Sequence, residues 1–431
     1  KNKDIRKKLL YTLMMLVVIR IGSLLPIPGV DTEYFSTLLS GFNSGDLSYL
    51  SAFTGGSFEK MSLFALSITP YITSSIIMQL LTIAIPKLEE MQKEGEDGRK
   101  KIASITRYVT IALALIESIA MAVGFGRQGL IKDYKDMSTI HYVTCIIVVV
   151  AALTAGSAVL MWIGERITEK GVGNGISIVL LINIISGMPS DFVTLYSTFV
   201  ANKSIARGVT VAVIIAAIVI AVVVLVVILQ DGERRIPVQY SQKVAGRKTI
   251  GGQATNIPLK VNTAGVMPII FASSIMQFPV IIVQLFTSNS YEWTKYLSQS
   301  YWCRVQMPKY SIGLLLYIIL VVVFAYFYTS ITFNPVQIAD NLKKAGGVVP
   351  GITPGRSTSE YLNKILNYIV FIGAVGLMIV ALIPIMCTGF FNASVSFGGT
   401  SIIIIVGVVL ETMKQIESMM VNRNYRGFLS E

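Results

Sequence analysis

Glu117 is the only acid well inside an apolar run, in RYVTIALALIESIAMAVG. An ionised carboxylate at a bilayer centre costs roughly 2.5–3.5 kcal/mol or more, so it must face protein or water, or hold a proton. Proton-coupled transport would use such a group. Apart from Glu59 and Lys60 at the start of the second run and Glu411, Lys414 and Glu417 in the latter half of the last, however, the apolar runs supply no other acid, no histidine relay and no lysine partner. Accepting hydrogen bonds from hydroxyls on other helices is the less demanding role. Other candidates for chemistry are weaker still. His141 is the single histidine, which removes any multi-histidine metal site, and it sits at the edge of an apolar run beside Tyr142. Serine–histidine proteolysis would have to use it, and Gly156-Ser157 lacks a matching glycine-serine-glycine setting. Cys145, Cys303 and Cys387 cannot build a disulfide framework and read as buried small hydrophobes. GVGNG at Gly171 to Gly175 has the glycines of a phosphate loop but not its lysine, and suits a tight turn better. The expectation is no catalytic residue, no metal site and no cofactor.

The elements that carry these residues are membrane spans. The 431 residues are 53% hydrophobic and 14% charged, with mean hydropathy +0.67 and net charge +12, which fits a polytopic membrane protein. Apolar runs fall near 9–25, 58–85, 105–125, 142–163, 176–187, 208–229, 264–286, 311–330, 365–387 and 401–420. These predict ten spans, the fifth too short alone and extended past Pro189. Arg20, the lack of an A-x-A site and nine later spans argue against reading the first run as a signal peptide. Of the 36 Lys and Arg, 26 fall in one set of alternating connections and nine in the other, with Arg20 inside the first span. The positive-inside rule then puts both termini in the cytoplasm.

The second span is irregular. Leu47 to Phe53 is apolar but far too short to cross, Gly55 and Gly56 break it, and a run after Ser57 carries Thr69, Pro70, Thr73, Ser74, Ser75 and Gln79. Such backbone belongs inside protein, lining a cavity. Its PYITSSIIMQ (70–79) matches PIIFASSIMQ (268–277) at six of ten positions, five spans later. With five spans per half, the halves run through the membrane with opposite polarity, an inverted repeat with its pathway between them. The fold class expected is therefore all-α, with ten transmembrane helices in two inverted five-helix halves. Residues 1–187 make the first half, 188–207 an external hinge loop and 208–431 the second. Ile68 and Ile72 lie one turn apart, Ile270 takes the matching place in the other half, and small polar residues follow at Thr73 and Ser274. Plain core packing explains these isoleucines; so does a narrow apolar collar that resists ions by dewetting.

Two cytoplasmic connections are long. Residues 231–262 carry Arg234, Arg235, Lys243, Arg247 and Lys248, with VQYSQKV and RKTI poised to pair as a hairpin. Residues 331–364 hold a short helix-like piece with Lys343 and Lys344, then a Gly/Pro-rich turn with Arg356. They anchor neighbouring helices by positive-inside charge, or together form a basic docking surface for an acidic protein or RNA.

LLPIPGVD, FTGG, FALSITPYITSSIIMQLL, WIGERITEKGVGNGISI, ERRIPVQY, PLKVNTAGVMPIIFASSIMQFP, FNPVQIADNLKKAGGVVPGI and FGGTSIIIIVGVV occur in the order seen in one family. Across essentially the whole chain it resembles bacterial SecY, the channel-forming subunits of protein translocases. The resemblance implies a protein-conducting channel in the bacterial cytoplasmic membrane, passing unfolded secretory chains and releasing hydrophobic segments sideways into lipid. It implies a pore ring of Ile68, Ile72, Leu180, Ile184, Ile270 and Ile404. A plug at about 43–57 would include Leu47, Tyr49, Leu50, Phe53, Gly55 and Gly56. Thr73, Glu117 and Ser274 would form the polar cluster of a lateral gate made by spans two, three, seven and eight. Implied partners are SecE-like and SecG-like small membrane subunits, a SecA-like motor ATPase, the ribosome, preproteins with their signal peptides, and membrane lipid. One departure is PGITPG, where many members read PGIRPG, so the motor-coupling role of that arginine does not carry to Thr353. The competing class is a secondary transporter for a small solute; a structural scaffold is a third.

Overall fold

The computed structural model describes residues 3–41, 54–126, 130–131, 138–199, 205–240, 243–245, 248–250, 254–286, 291–303, 307–391 and 399–427. Ten apolar helices correspond to the ten expected spans. They are α1 (Lys3–Leu24), α3 (Thr69–Ala84), α5 (Glu96–Phe125), α6 (Thr139–Lys170), α7 (Gly175–Phe199), α8 (Ile205–Asp231), α9 (Met267–Phe286), α11 (Ile312–Thr332), α13 (Arg356–Phe391) and α14 (Gly399–Gly427). Between them lie α2 (Thr32–Gly41), α4 (Pro86–Lys93), α10 (Glu292–Leu297) and α12 (Pro335–Lys344). Five stretches among the described residues are long and apolar enough to cross a membrane unaided, and α3 with α4 makes a sixth, bent by 105°. The others are short or carry charge, as α1 does with Arg20, and are recognised as spans through the family fold given below.

The second span does not begin as helix where its apolar run begins. Residues 55–68 form successive turns, with Met61 at φ +40° and Ser67 at φ +53°, and helix starts only at Thr69. Most of this stretch is buried, so its amides need partners within the protein. They find them locally, as in Ser62 N–H to the Ser57 carbonyl (3.0 Å), and across to the end of α1, where Leu63 N–H donates to Leu25 (2.9 Å). Pro70 then occupies the first turn of α3, where a missing N–H costs nothing.

The fifth span does extend past Pro189. Helix continues to Phe199 and the next begins at Ile205, so most of the 188–207 stretch expected as a loop is helical. Phe192, Val193 and Tyr196 keep the segment apolar, and the proline removes only one hydrogen bond. GVGNG is the turn into this helix: Gly173 has φ +80°, and Thr12 Oγ1 of α1 accepts from Val172 N–H (3.1 Å).

The long connections are joined. β1 (Glu233–Tyr240) pairs antiparallel with β4 (Ala254–Lys260) and, on its other edge, with β5 (Gly347–Val348) from the second connection. The expected hairpin is present as β2 (Lys243–Ala245) against β3 (Lys248–Ile250). Under the three-stranded sheet, Ile236, Val238 and Leu259 pack on Leu342 of α12 and Leu362 of α13.

Candidate functional site

All six residues of the expected ring fall in one apolar cluster, five buried and Ile72 partly so. Ile68 is the residue on which α3 is capped, and Ile72 N–H donates to its carbonyl (3.1 Å), which fixes the two a turn apart. Leu180 and Ile184 hold the same spacing on α7, Ile270 lies on the first turn of α9, and Ile404 on α14. Four elements from both halves thus converge on one waist.

Above the waist opens a cavity of about 460 Å³. Ile72, Leu180, Ile270 and Ile404 line it, whereas Ile68 and Ile184 lie beneath, outside its lining. From Ile72 the wall rises toward the C-terminus of α3, through Ser75 and Gln79. From Ile270 it rises toward the N-terminus of α9, through Met267, Val266 and Asn262. The two repeat helices therefore traverse the site in opposite directions, which is the inverted arrangement the repeat called for. The upper wall is polar, with Asn174, Ser177, Gln230, Thr263 and Glu411. At the mouth Lys414 of α14 reaches Asp231 at the end of α8 (2.7 Å), an exposed pair that contributes little to stability.

Leu47, Tyr49, Leu50 and Phe53 of the expected plug lie outside the described residues, and of the residues named for it only Gly55 and Gly56 are described. Gly55 has φ +63° and abuts α7: a Cβ there would lie 2.6 Å from Ser186 Oγ and 2.7 Å from the Asn183 carbonyl. Arg20 of α1 donates to Ser186 Oγ (2.8 Å), and the Ser186 hydroxyl donates within its own helix to the Asn183 carbonyl (2.8 Å) while lying 3.3 Å from the Gly55 carbonyl. The intramembrane arginine thus braces this junction. Asn183 Nδ2 donates to Ser67 Oγ (3.0 Å), tying α7 to the same run of turns.

The halves meet where α5 packs on α9 and, separately, where α7 packs on α14. Inside the N-terminal half, hydroxyl pairs bind the helices, Ser74 to Thr110 between α3 and α5 and Ser118 to Thr154 (2.9 Å) between α5 and α6. No side-chain hydrogen bond joins α5 to α9 among the described residues. Thr73 Oγ1 donates to the Thr69 carbonyl of its own helix (3.1 Å), and Glu117 and Ser274 are partly buried on α5 and α9.

Of the docking residues, Arg234 and Arg235 are exposed on β1, Lys343 and Lys344 end α12, and Arg356 opens α13, 92% exposed and bonded to Glu360 (3.0 Å). Lys243 and Lys248 fall on the β2–β3 hairpin, and Arg247 lies outside the described residues. Asn334 caps α12 by accepting from Val336 and Gln337 N–H. Two features were missed from sequence. β5 is only two residues long and carries no pattern to signal it. Gln230 looks like a polar residue ending an apolar run, and only the three-dimensional packing brings it to the waist.

An apolar cluster beneath a polar-walled cavity, framed by two inverted halves, is the architecture of a membrane channel. A family model described as SecY matches residues 62–413. Curated relatives named protein translocase subunit SecY include that of Streptomyces galbus, 42% identical over all of this chain and 98% of the relative. That of Halalkalibacterium halodurans is 41% identical, covering 99% and 97% of the two chains. The protein belongs to the SecY family of protein translocation channels. Solved structures share the fold at 17% identity. One described as a protein-conducting channel has TM-score 0.62, covering 98% of this chain and 94% of that one, and canine Sec61 in a ribosome–channel complex has TM-score 0.59 over the same shares.

Proposed function

We propose that this chain forms the pore through which unfolded secretory proteins cross the bacterial cell membrane. The observation that carries this reading is the aliphatic waist, contributed by both halves and floored under an open polar vestibule. Isoleucine and leucine side chains can part around an extended chain and close again without leaving polar groups that attract ions. The plug, hinged at Gly55 and braced by Arg20 and Ser186, seals the far side. The α5–α9 seam opens sideways: among the described residues no side-chain hydrogen bond crosses it, while hydroxyl pairs keep the N-terminal half together. A hydrophobic segment long enough to span then partitions into lipid. Thr73, Glu117 and Ser274 are the polar residues such a segment would meet at the gate.

The sheet joining both basic connections serves as a docking platform for a motor ATPase or the ribosome, the partner named for the canine channel. Small SecE-like and SecG-like subunits accompany the pore, and both termini face the cytoplasm. Thr353, exposed in the turn before α13, leaves this platform without the arginine common in the family. Catalysis resides in the partner.

Reconstitution into liposomes tests this reading against a solute transporter. Protected import of an unfolded precursor, dependent on the motor and little changed by Glu117→Gln, is the expected result. Partner-independent solute uptake that Glu117→Gln abolishes would overturn it.

A further inference from the structure

Two side-chain amide atoms above the waist are buried and without a hydrogen-bond partner among the described residues: Gln79 Oε1 on α3 and Gln230 Nε2 on α8. Both glutamines line the vestibule. Gln79 stands seven residues beyond Ile72, two helical turns along the same face and about 10 Å above the ring. Gln230 reaches across to α14 one turn above Ile404, where Gly407 leaves room for it: a Cβ there would sit 3.4 Å from Gln230 Nε2 and 3.0 Å from Val266 Cγ2. One amide therefore comes from each half, one presenting an acceptor and the other a donor.

An unpaired buried amide is costly and persists where something compensates for it. An extended polypeptide carries, at every residue but proline, one N–H donor and one carbonyl acceptor, whatever its side chains. We propose that Gln79 and Gln230 form a backbone-reading pair. Gln79 Oε1 accepts from a main-chain N–H of the chain in transit, and Gln230 Nε2 donates to a main-chain carbonyl. Spreading of the ring uncovers both amides as the chain enters. The pair offers a sequence-independent foothold just before the apolar waist, where the chain must give up water. This rests on the reading of the vestibule as a polypeptide path.

The test uses the reconstituted channel with its motor and a precursor stalled part-way by a folded C-terminal domain. After the motor is removed, the rate at which the precursor slides back is measured. Methionine conserves volume, so Gln79→Met and Gln230→Met keep the packing. Each variant should speed back-sliding roughly five-fold, the loss of one net hydrogen bond. With a polyproline stretch held at the waist, Gln79→Met should match the wild type, because no N–H is present to accept from. Gln230→Met should still slide faster. Thermal stability of the resting channel should not fall in either variant, since no existing bond is removed.

Unchanged back-sliding of a proline-free chain would overturn the assignment. So would an acceleration by Gln79→Met that survives polyproline, one that tracks precursor charge, or a drop in resting stability. A wild-type channel that never retains the stalled precursor would instead refute the channel reading itself.

Discussion

Both repeat helices are entered through turns rather than helix, but the two runs meet different surroundings. Residues 55–68, before α3, are mostly buried, close their hydrogen bonds locally and against α1 and α7, and lie below the waist. Residues 262–266, before α9, line the vestibule, with Asn262 Nδ2 donating to the Gly265 carbonyl (3.0 Å) to hold the turn. The same device, inverted, seals one end of the path and shapes the open mouth of the other. What decides the role is what packs behind it: mostly protein in the first case, a polar-walled cavity in the second.

The largest effect should come from wetting the waist that both runs frame. Ile72→Asn with Ile270→Asn should raise resting ion conductance by roughly ten-fold or more in planar bilayers; an unchanged conductance would mean that the seal lies in the plug alone.

The dry run should be the more sensitive to substitution. Gly55→Val meets both a positive φ and the wall of α7, and should cost about 3 kcal/mol in thermal unfolding of the purified channel. Gly56→Ala also has positive φ, +79°, but faces open space and should cost only about 1 kcal/mol. Equal losses would show that close approach to Ser186 and Asn183 does not matter.

A smaller effect is expected in the wet run. Asn262→Ala removes one turn-closing bond from a buried side chain at the cavity wall, where φ need not be positive and no neighbouring wall is struck, for about 1 kcal/mol. A loss as large as that of Gly55→Val would erase the distinction between the two.

Much of this was legible from composition and spacing. Ten apolar runs became ten helices, and the six matches between 70–79 and 268–277 pointed to the waist. The aligned isoleucines Ile72 and Ile270 do face one cavity. Residues 58–68 were read as the start of the second span because the run is apolar, and apolarity alone does not separate buried turns from buried helix. Positive φ at Met61 and Ser67 left no signal, since neither residue type advertises it. Ser186 and Gln230 matter through contacts with Gly55 and Gly407, far along the chain and outside any local pattern. The β1–β4–β5 sheet escaped notice because its third strand is two residues long. The residues expected at the gate illustrate the opposite limit: Thr73, Glu117 and Ser274 stand out in the sequence as polar groups within spans, but no hydrogen bond among them is present among the described residues.

The central claim is that polypeptide passes through the ring. Single cysteines at Ile72, Leu180, Ile270 and Ile404, with one at lipid-facing Ile116 as a control, can be crosslinked to a cysteine in a precursor stalled part-way across. The account predicts adducts at all four ring positions and none at Ile116, whose side chain is 62% exposed on the outer face of α5. Adducts at Ile116 without any at the ring would contradict it.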